Sequence, residues 1–239
     1  MKVLGLDTST LTSGIAVVDD DKILAEARHD ASAHKSDLLV AIDDVCKRAG
    51  VAPLEIDAVA VGAGPGSFTG LRIGMATAKG IAFATGTPLW AVSSLAALAS
   101  DGRSALVSPG VIVAALDARK GEIYAGCYRV RLESPNVELI GDERVLAPSA
   151  LAAWVAEISE DPHTKYVGDA LAAYRDALAP LAGAWLEPTT PSGAAVARVA
   201  LAGARVDVVT GGAPTYIRKA EAEVMYPDGV PGALRRRDP

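Results

Sequence analysis

Two acidic turns are the first residues in this chain that could do chemistry. Val3-Leu4-Gly5-Leu6-Asp7 and Val111-Ile112-Val113-Ala114-Ala115-Leu116-Asp117 are apolar runs that each end in Leu-Asp. Aspartates placed this way, facing one another across a two-lobed cleft, orient water or Mg²⁺ in an ATPase while nearby amides and hydroxyls hold phosphate oxygens. An aspartate after a strand also serves as a turn former or helix cap, so both roles stay open for Asp7 and Asp117. The second candidate is Gly62-Ala63-Gly64-Pro65-Gly66-Ser67-Phe68-Thr69-Gly70-Leu71-Arg72-Ile73-Gly74. Gly64 and Gly66 allow backbone shapes closed to residues with a Cβ, and a loop feeding a helix N-terminus can bind an anion. The Lys-Ser/Thr ending of a Walker loop is missing, however, and a glycine turn between strand and helix can be a matter of sterics alone.

Other chemistries lack their residues. His29, His34 and His163 form no HxxxH or HExxH spacing, so no metal site is implied. No Gly-x-Ser-x-Gly elbow supports a nucleophilic hydrolase. Cys46 and Cys127 are far apart and make no CxxC, which argues against a disulfide framework and for a cytoplasmic setting. The opening apolar run has strand length rather than signal-peptide length. The most apolar stretch, 68–99, is interrupted by Arg72, Lys79, Gly86 and Pro88 and cannot supply the roughly 20 apolar residues of a membrane helix.

The elements that must position these turns follow from periodicity. After the first run come Gly14-Ile15-Ala16-Val17-Val18, an Asp19-Asp20-Asp21 turn and Lys22-Ile23-Leu24-Ala25-Glu26, an antiparallel meander. Leu38, Leu39, Ile42, Val45, Cys46 and Ala49 define an amphipathic helix closed by Gly50 and Pro53. Ala58-Val59-Ala60-Val61-Gly62 reads as a strand, then come the glycine turn, a long small-residue helix, and a strand at Leu89-Trp90-Ala91-Val92. In the long helix, Gly66, Gly70, Gly74 and Ala78 recur every four residues as a flat ridge. Such a ridge suits close helix approach, within the core or at a partner interface. The run ending at Asp117 restarts the grammar, leading through Gly121 into Ile123-Tyr124-Ala125-Gly126-Cys127-Tyr128, so the chain reads as internally duplicated. The spacing then predicts a helix opened by Pro148-Ser149, a strand at Tyr166-Val167, a helix near 170–178 and an alanine-rich helix from Ser192. The expected domains are a first lobe at 1–103, a smaller second lobe at 104–190, a segment at 191–222 packing back on the first lobe, and a flexible tail at 223–239.

The chain has 239 residues, 50% of them hydrophobic, 5% aromatic and 22% charged, with a net charge of -6. At this length about 70% of the unfolded chain's surface can be buried, which excludes disorder as the main state. The acidic balance excludes a broad basic face for nucleic acid, since phosphate neutralisation needs clustered Lys and Arg. If the chain serves RNA, a partner grips it.

The stretch 64–74 resembles the signature of the bacterial TsaB (YeaZ) family. Leu6-Asp7-Thr8-Ser9, His34 before Leu38-Leu39, Leu116-Asp117-Ala118-Arg119, Gly121-Glu122-Ile123-Tyr124 and Pro214-Thr215-Tyr216-Ile217-Arg218 extend the resemblance over nearly the whole chain. It implies an α/β, two-lobed actin-like ATPase (duplicated ribonuclease H-like) fold with mixed sheets flanked by helices. It also implies a noncatalytic subunit that dimerises with a TsaD-type transferase to form N6-threonylcarbamoyladenosine beside the anticodon of tRNAs reading codons that begin with A. A separate TsaE-type ATPase joins the complex, tRNA is engaged indirectly, and the chain can self-pair when the partner is absent. In the catalytic relative an HxxxH metal motif follows the strand equivalent to 88–92. Ser94 and Leu98 stand there in this chain, so no catalytic residue, metal or cofactor is expected. The family's heterodimer uses the first two helices, which makes His34, Leu38, Leu39, Ile42, Phe68, Leu71, Met75 and Lys79 the expected partner interface. The alternative is an independent small actin-like ATPase or kinase using Asp7, Asp117 and the 64–66 loop, with Gly168-Asp169 or Gly211-Gly212 as remnants of an adenosine loop. A further alternative is direct tRNA binding through Arg235-Arg236-Arg237.

Overall fold

The computed structural model describes residues 1–30, 38–131, 133–134 and 136–208. The first sheet holds β1 (Lys2–Asp7), β2 (Thr12–Asp19), β3 (Lys22–Asp30), β4 (Ala58–Gly62), β5 (Leu89–Val92) and the late β11 (Val206–Asp207), in the order β11-β5-β4-β1-β2-β3. Its helices are α1 (Leu38–Ala49), α2 (Phe68–Thr85) and α3 (Ser94–Gly102). The second sheet orders β10 (Lys165–Val167), β6 (Gly110–Arg119), β7 (Glu122–Val130) and β8 (Val137–Leu139), with β9 (Arg144–Leu146) also paired to β7. The remaining helices are α4 (Leu151–Ile158), α5 (Ala170–Ala173), α6 (Arg175–Leu178) and α7 (Gly193–Leu201).

The duplication expected from the two Leu-Asp runs is present in the pairing. β1 is antiparallel to β2 and parallel to β4, and β6 is antiparallel to β7 and parallel to β10. Strand alternation separates the cores. Leu4, Leu6, Ile15, Val17, Val59 and Val61 turn to one face of the first sheet and pack under α1 and α2. Val3, Ala16, Val18, Ala58 and Ala60 turn to the other, where α3 and α7 join them to Ile112, Ala114, Leu116 and Tyr128 of the second sheet. A third core, on the far face of the second sheet, packs Val111, Val113 and Ile123 against Leu151, Trp154 and Val155. Burying each of these large aliphatic side chains contributes roughly 1.5–3 kcal/mol.

α1 spans the expected 38–49, with Leu38, Ile42, Val45 and Cys46 inward and Lys47–Asp43 and Arg48–Asp44 ion pairs on its outer side. Serine hydroxyls cap α2, α3 and α7, Ser67, Ser93 and Ser192 accepting from Gly70, Ala96 and Ala195. α7 packs on β1 and β2, so closely that a Cβ on Gly5 would lie 2.0 Å from the Gly193 carbonyl oxygen. The helix expected near 170–178 is instead two short ones broken at Tyr174, whose backbone (φ -131°, ψ 45°) leaves the helical range. Among the described residues no helix is long and apolar enough to cross a membrane.

Candidate functional site

Asp7 ends β1 with no solvent exposure. Its Oδ1 accepts the Ser9 N–H at 2.8 Å and the Ser9 hydroxyl, and its Oδ2 accepts the Ser94 hydroxyl at 2.7 Å. Burial pushes the Asp7 carboxyl above its ordinary range, opposed by these bonds from Ser9 and Ser94. Both oxygens therefore face donors of the chain itself.

The glycine loop closes over this turn. A Cβ at Gly62 would lie 1.9 Å from Asp7 Oδ2, and one at Gly66 2.5 Å from Ser9. Further along α2, a Cβ at Gly70 would meet the Thr8 carbonyl oxygen at 2.0 Å and one at Gly74 the Thr8 hydroxyl oxygen at 2.1 Å. The ridge at 66, 70 and 74 thus receives the β1–β2 turn of its own lobe rather than a second helix. Three of the loop's amides are spent the same way. Ala63 N–H donates to the Val92 carbonyl at 2.8 Å, Gly64 N–H to the Ser94 hydroxyl at 3.2 Å, and Ser67 N–H to the Ser9 carbonyl at 2.7 Å. Pro65 has no N–H to offer, and Ser67 itself caps α2. An anion cradle that used the Ala63, Gly64 or Ser67 amides would need these donors turned outward.

Asp117 occupies the equivalent place in the second lobe, but its carboxylate shapes a hairpin. Oδ1 accepts the Arg119 N–H at 2.7 Å and the Tyr174 hydroxyl at 2.8 Å, and Oδ2 pairs with the Arg119 guanidinium at 3.0 Å. The Asp117 N–H donates to Asp169 Oδ1 at 2.8 Å, and burial raises the Asp169 carboxyl. These contacts hold Arg119 and Lys120 at φ 63° and 57°, left-handed values unfavourable for side chains with a Cβ. Gly168, offered as part of an adenosine loop, is packed on β6, where a Cβ would lie 1.9 Å from the Ala115 carbonyl oxygen. Gly211, Gly212, residues 214–218 and Arg235 to Arg237 fall outside the described residues.

Two serines open α3; sequence reasoning noted Ser94 only as standing where the relative has a metal ligand and gave Ser93 no part. Ser94 holds Asp7, while Ser93 donates to Glu143, which also accepts the Tyr128 hydroxyl. Burial raises Glu143 and drives Tyr128 well above its ordinary range, which keeps the phenol protonated as a donor. Ser93 is 50 residues from Glu143 and Ser94 is 87 from Asp7, so no local pattern could have paired them. Leu98, one turn along, is fully buried in the core between the sheets.

The expected interface residues divide by face. Leu38, Ile42, Leu71 and Met75 are buried in the core beneath α1 and α2. Leu39 (59% exposed), Phe68 (37%) and Lys79 face outward, and His34 lies outside the described residues. Sequence reasoning missed the rest of that outer surface: Val40 (66%), Arg72, Ala76, Gly80 and Phe83 (92%). Arg72 stacks over the Phe68 ring at 3.8 Å, and a Cβ at Gly80 would meet nothing within 4 Å.

Comparison with known proteins gives the arrangement its relatives. Residues 28–224 match the family model described as TsaD, tRNA N6-adenosine threonylcarbamoyltransferase. The tRNA threonylcarbamoyladenosine biosynthesis protein TsaB of Bacillus subtilis is 30% identical over 232 residues, 95% of this chain and 98% of that one. The TsaB of Escherichia coli is 34% identical over 129 residues, 54% of this chain and 55% of the other. Among solved structures, YeaZ from Pseudomonas aeruginosa has a TM-score of 0.73 at 29% identity, with 90% of this chain and 100% of that chain covered. The α/β fold, two flanked sheets from a repeated strand grammar, is shared with that structure. With a relative alike over almost the full length of both chains, this chain belongs to the TsaB (YeaZ) family.

Proposed function

We propose that this chain takes part in forming N6-threonylcarbamoyladenosine in tRNA as a noncatalytic subunit, pairing with a TsaD-type transferase through the outer faces of α1 and α2. The observation that carries this reading is the sealed Asp7 turn. Its carboxylate is bonded by Ser9 and Ser94, its flank is filled by the α2 glycines, and the Ala63, Gly64 and Ser67 amides are committed to Val92, Ser94 and Ser9. An ATPase reading through Asp7, Asp117 and the glycine loop would need that turn to open.

The partner surface follows from what the core leaves over. With Gly66, Gly70 and Gly74 turned inward, a second small-residue row, Ala76 and Gly80, faces outward between Phe68 and Phe83, with Leu39 and Val40 exposed on α1. Small residues let a partner helix approach closely, and the flanking aromatics supply apolar area. A TsaE-type ATPase is the third member of the assembly, and self-pairing uses the same face when the transferase is absent. The net charge of -6 leaves the grip on tRNA to the partners.

The test is co-purification with the transferase. Ala76→Arg and Phe83→Glu, both at exposed positions, are each expected to weaken capture at least about tenfold while leaving thermal unfolding of the free chain within about 0.5 kcal/mol of wild type. Full capture by both variants would remove this face from the account. ATP titration of the isolated chain addresses the enzyme reading, for which micromolar binding with turnover would be required.

A further inference from the structure

The chain passes between the lobes twice, through 103–109 after α3 and through 186–192 before α7. The crossings are tied together. Ser192 donates its N–H to Asp101 Oδ2 at 2.8 Å and its hydroxyl to Asp101 Oδ1 at 2.7 Å. Beside this knot lies a cavity of about 390 Å³ lined by Ser100, Asp101, Arg103, Ser104, Leu106 and Arg198.

Arg198 gives the cavity its character. It projects from α7, is half-buried, and donates one guanidinium N–H to the Ser100 hydroxyl at 3.2 Å. Among the described residues it has no carboxylate within 4.0 Å, because Asp101, the acid beside it, is directed at Ser192. The Arg198 charge still draws the Asp101 carboxyl down against the effect of burial, but a half-buried guanidinium carries five N–H donors in a planar fork, which a through-space charge does not satisfy. With Arg103 and Arg198 against Asp101, the lining has a net charge of about +1, counting two cations and one anion. The Ser100 hydroxyl adds a donor, Ser104 forms the rim with its own hydroxyl donated to the Asp101 carbonyl at 3.2 Å, Leu106 supplies an apolar wall, and the volume is that of a small-molecule site.

We propose that this cavity binds a small oxyanion, a phosphate or carboxylate group, on the Arg198 and Arg103 guanidiniums and the Ser100 hydroxyl. The site stands apart from both the Asp7 turn and the outer faces of α1 and α2, and its assignment does not depend on the proposed function. It lies where both crossings meet, so an occupant would bridge the end of α3 to α7 and stiffen the junction between the lobes.

Thermal unfolding of the full chain is followed against inorganic phosphate and, separately, malonate, with ionic strength held constant by sodium chloride. A saturable rise in midpoint with at least one of the two anions is expected, and the anion with the lower half-saturation identifies the group preferred. Arg198→Gln is expected to raise that half-saturation at least about tenfold, since a charge-assisted fork is removed. Ser104→Glu, at an exposed position on the rim, places a carboxylate in the mouth without touching the core and is expected to abolish the response by itself. No saturable response in wild type to either anion, or an undiminished response in Ser104→Glu, would overturn the assignment.

Discussion

Asp7 ends β1 and Asp117 lies two residues before the end of β6, equivalent strands each followed by an antiparallel partner, yet their carboxylates are put to different uses. Asp7 is gripped from two separate segments, the turn itself and the start of α3, and α2 lies against the turn with only glycine hydrogens between. Asp117 bonds within its own hairpin and to Tyr174, and the arginine it holds remains 67% exposed. A duplicated strand-Asp turn is therefore a local shape, and its chemistry is decided by what packs on it. In the first lobe the packing makes the aspartate corner part of the core. In the second, the aspartate stabilises a strained loop. Sealing the first corner also fixes the orientation of α2, since the side that accepts Thr8 and Ser9 cannot also face a partner.

The largest expected effect breaks that seal. Gly70→Val drives a branched side chain into the Thr8 carbonyl, backbone that cannot rotate away, and is expected to cost at least about 3 kcal/mol in urea unfolding. A cost below about 1 kcal/mol would mean that the α2 ridge does not rest on the turn. Next, Asp7→Ala strands buried donors on Ser9 and Ser94 and is expected to cost about 2–3 kcal/mol, while Asp117→Ala, at the more open hairpin, costs about 1 kcal/mol. The reverse order would show the second turn to be the tighter one.

A subtler effect concerns pH. Because burial raises the Asp7 pKa in the folded chain, the native state binds that proton more tightly than the unfolded one. The contribution is therefore fully present below the unfolded value near 3.9 and is lost as pH rises through the folded pKa. Asp7→Asn removes this titration, so its midpoint is expected to gain on wild type as pH climbs from about 4 toward neutrality. A difference that shrinks with rising pH would contradict burial as the dominant influence. The smallest expected change is on the opposite face of α2, where Gly80→Ala meets open space and should add about 0.5–1 kcal/mol by helix propensity alone.

Most of the fold was legible because strand alternation and helical spacing are local. The limits of α1, the β1–β2–β3 meander and its restart at β6 and β7 all follow from residues within one or two elements of each other. β8, β9 and β11 escaped because two or three residues carry no period. The candidate site was legible only in part. The four-residue glycine spacing declared a flat ridge without saying what would meet it, and Thr8 is 62 residues from Gly70. The same limit hid the Ser93–Glu143 and Ser94–Asp7 pairs. Among the residues expected at the partner interface, apolar type did not separate inward from outward, since Leu71 and Met75 fill the core while Leu39 and Phe68 are exposed. The outward row of Ala76 and Gly80 is inconspicuous by hydrophobicity and emerges only once the inward side is known.

Reconstituted threonylcarbamoylation of tRNA tests the central claim most directly, with the TsaD-type transferase and TsaE-type ATPase supplied and this chain omitted, added as wild type, or added as the Asp7→Asn/Asp117→Asn double variant. A noncatalytic subunit requires modification to collapse on omission and to return with the double variant to within about twofold of wild type, less than 0.5 kcal/mol in barrier. Modification that proceeds equally well without the chain, or a folded, partner-bound double variant that fails to restore it, would contradict the account.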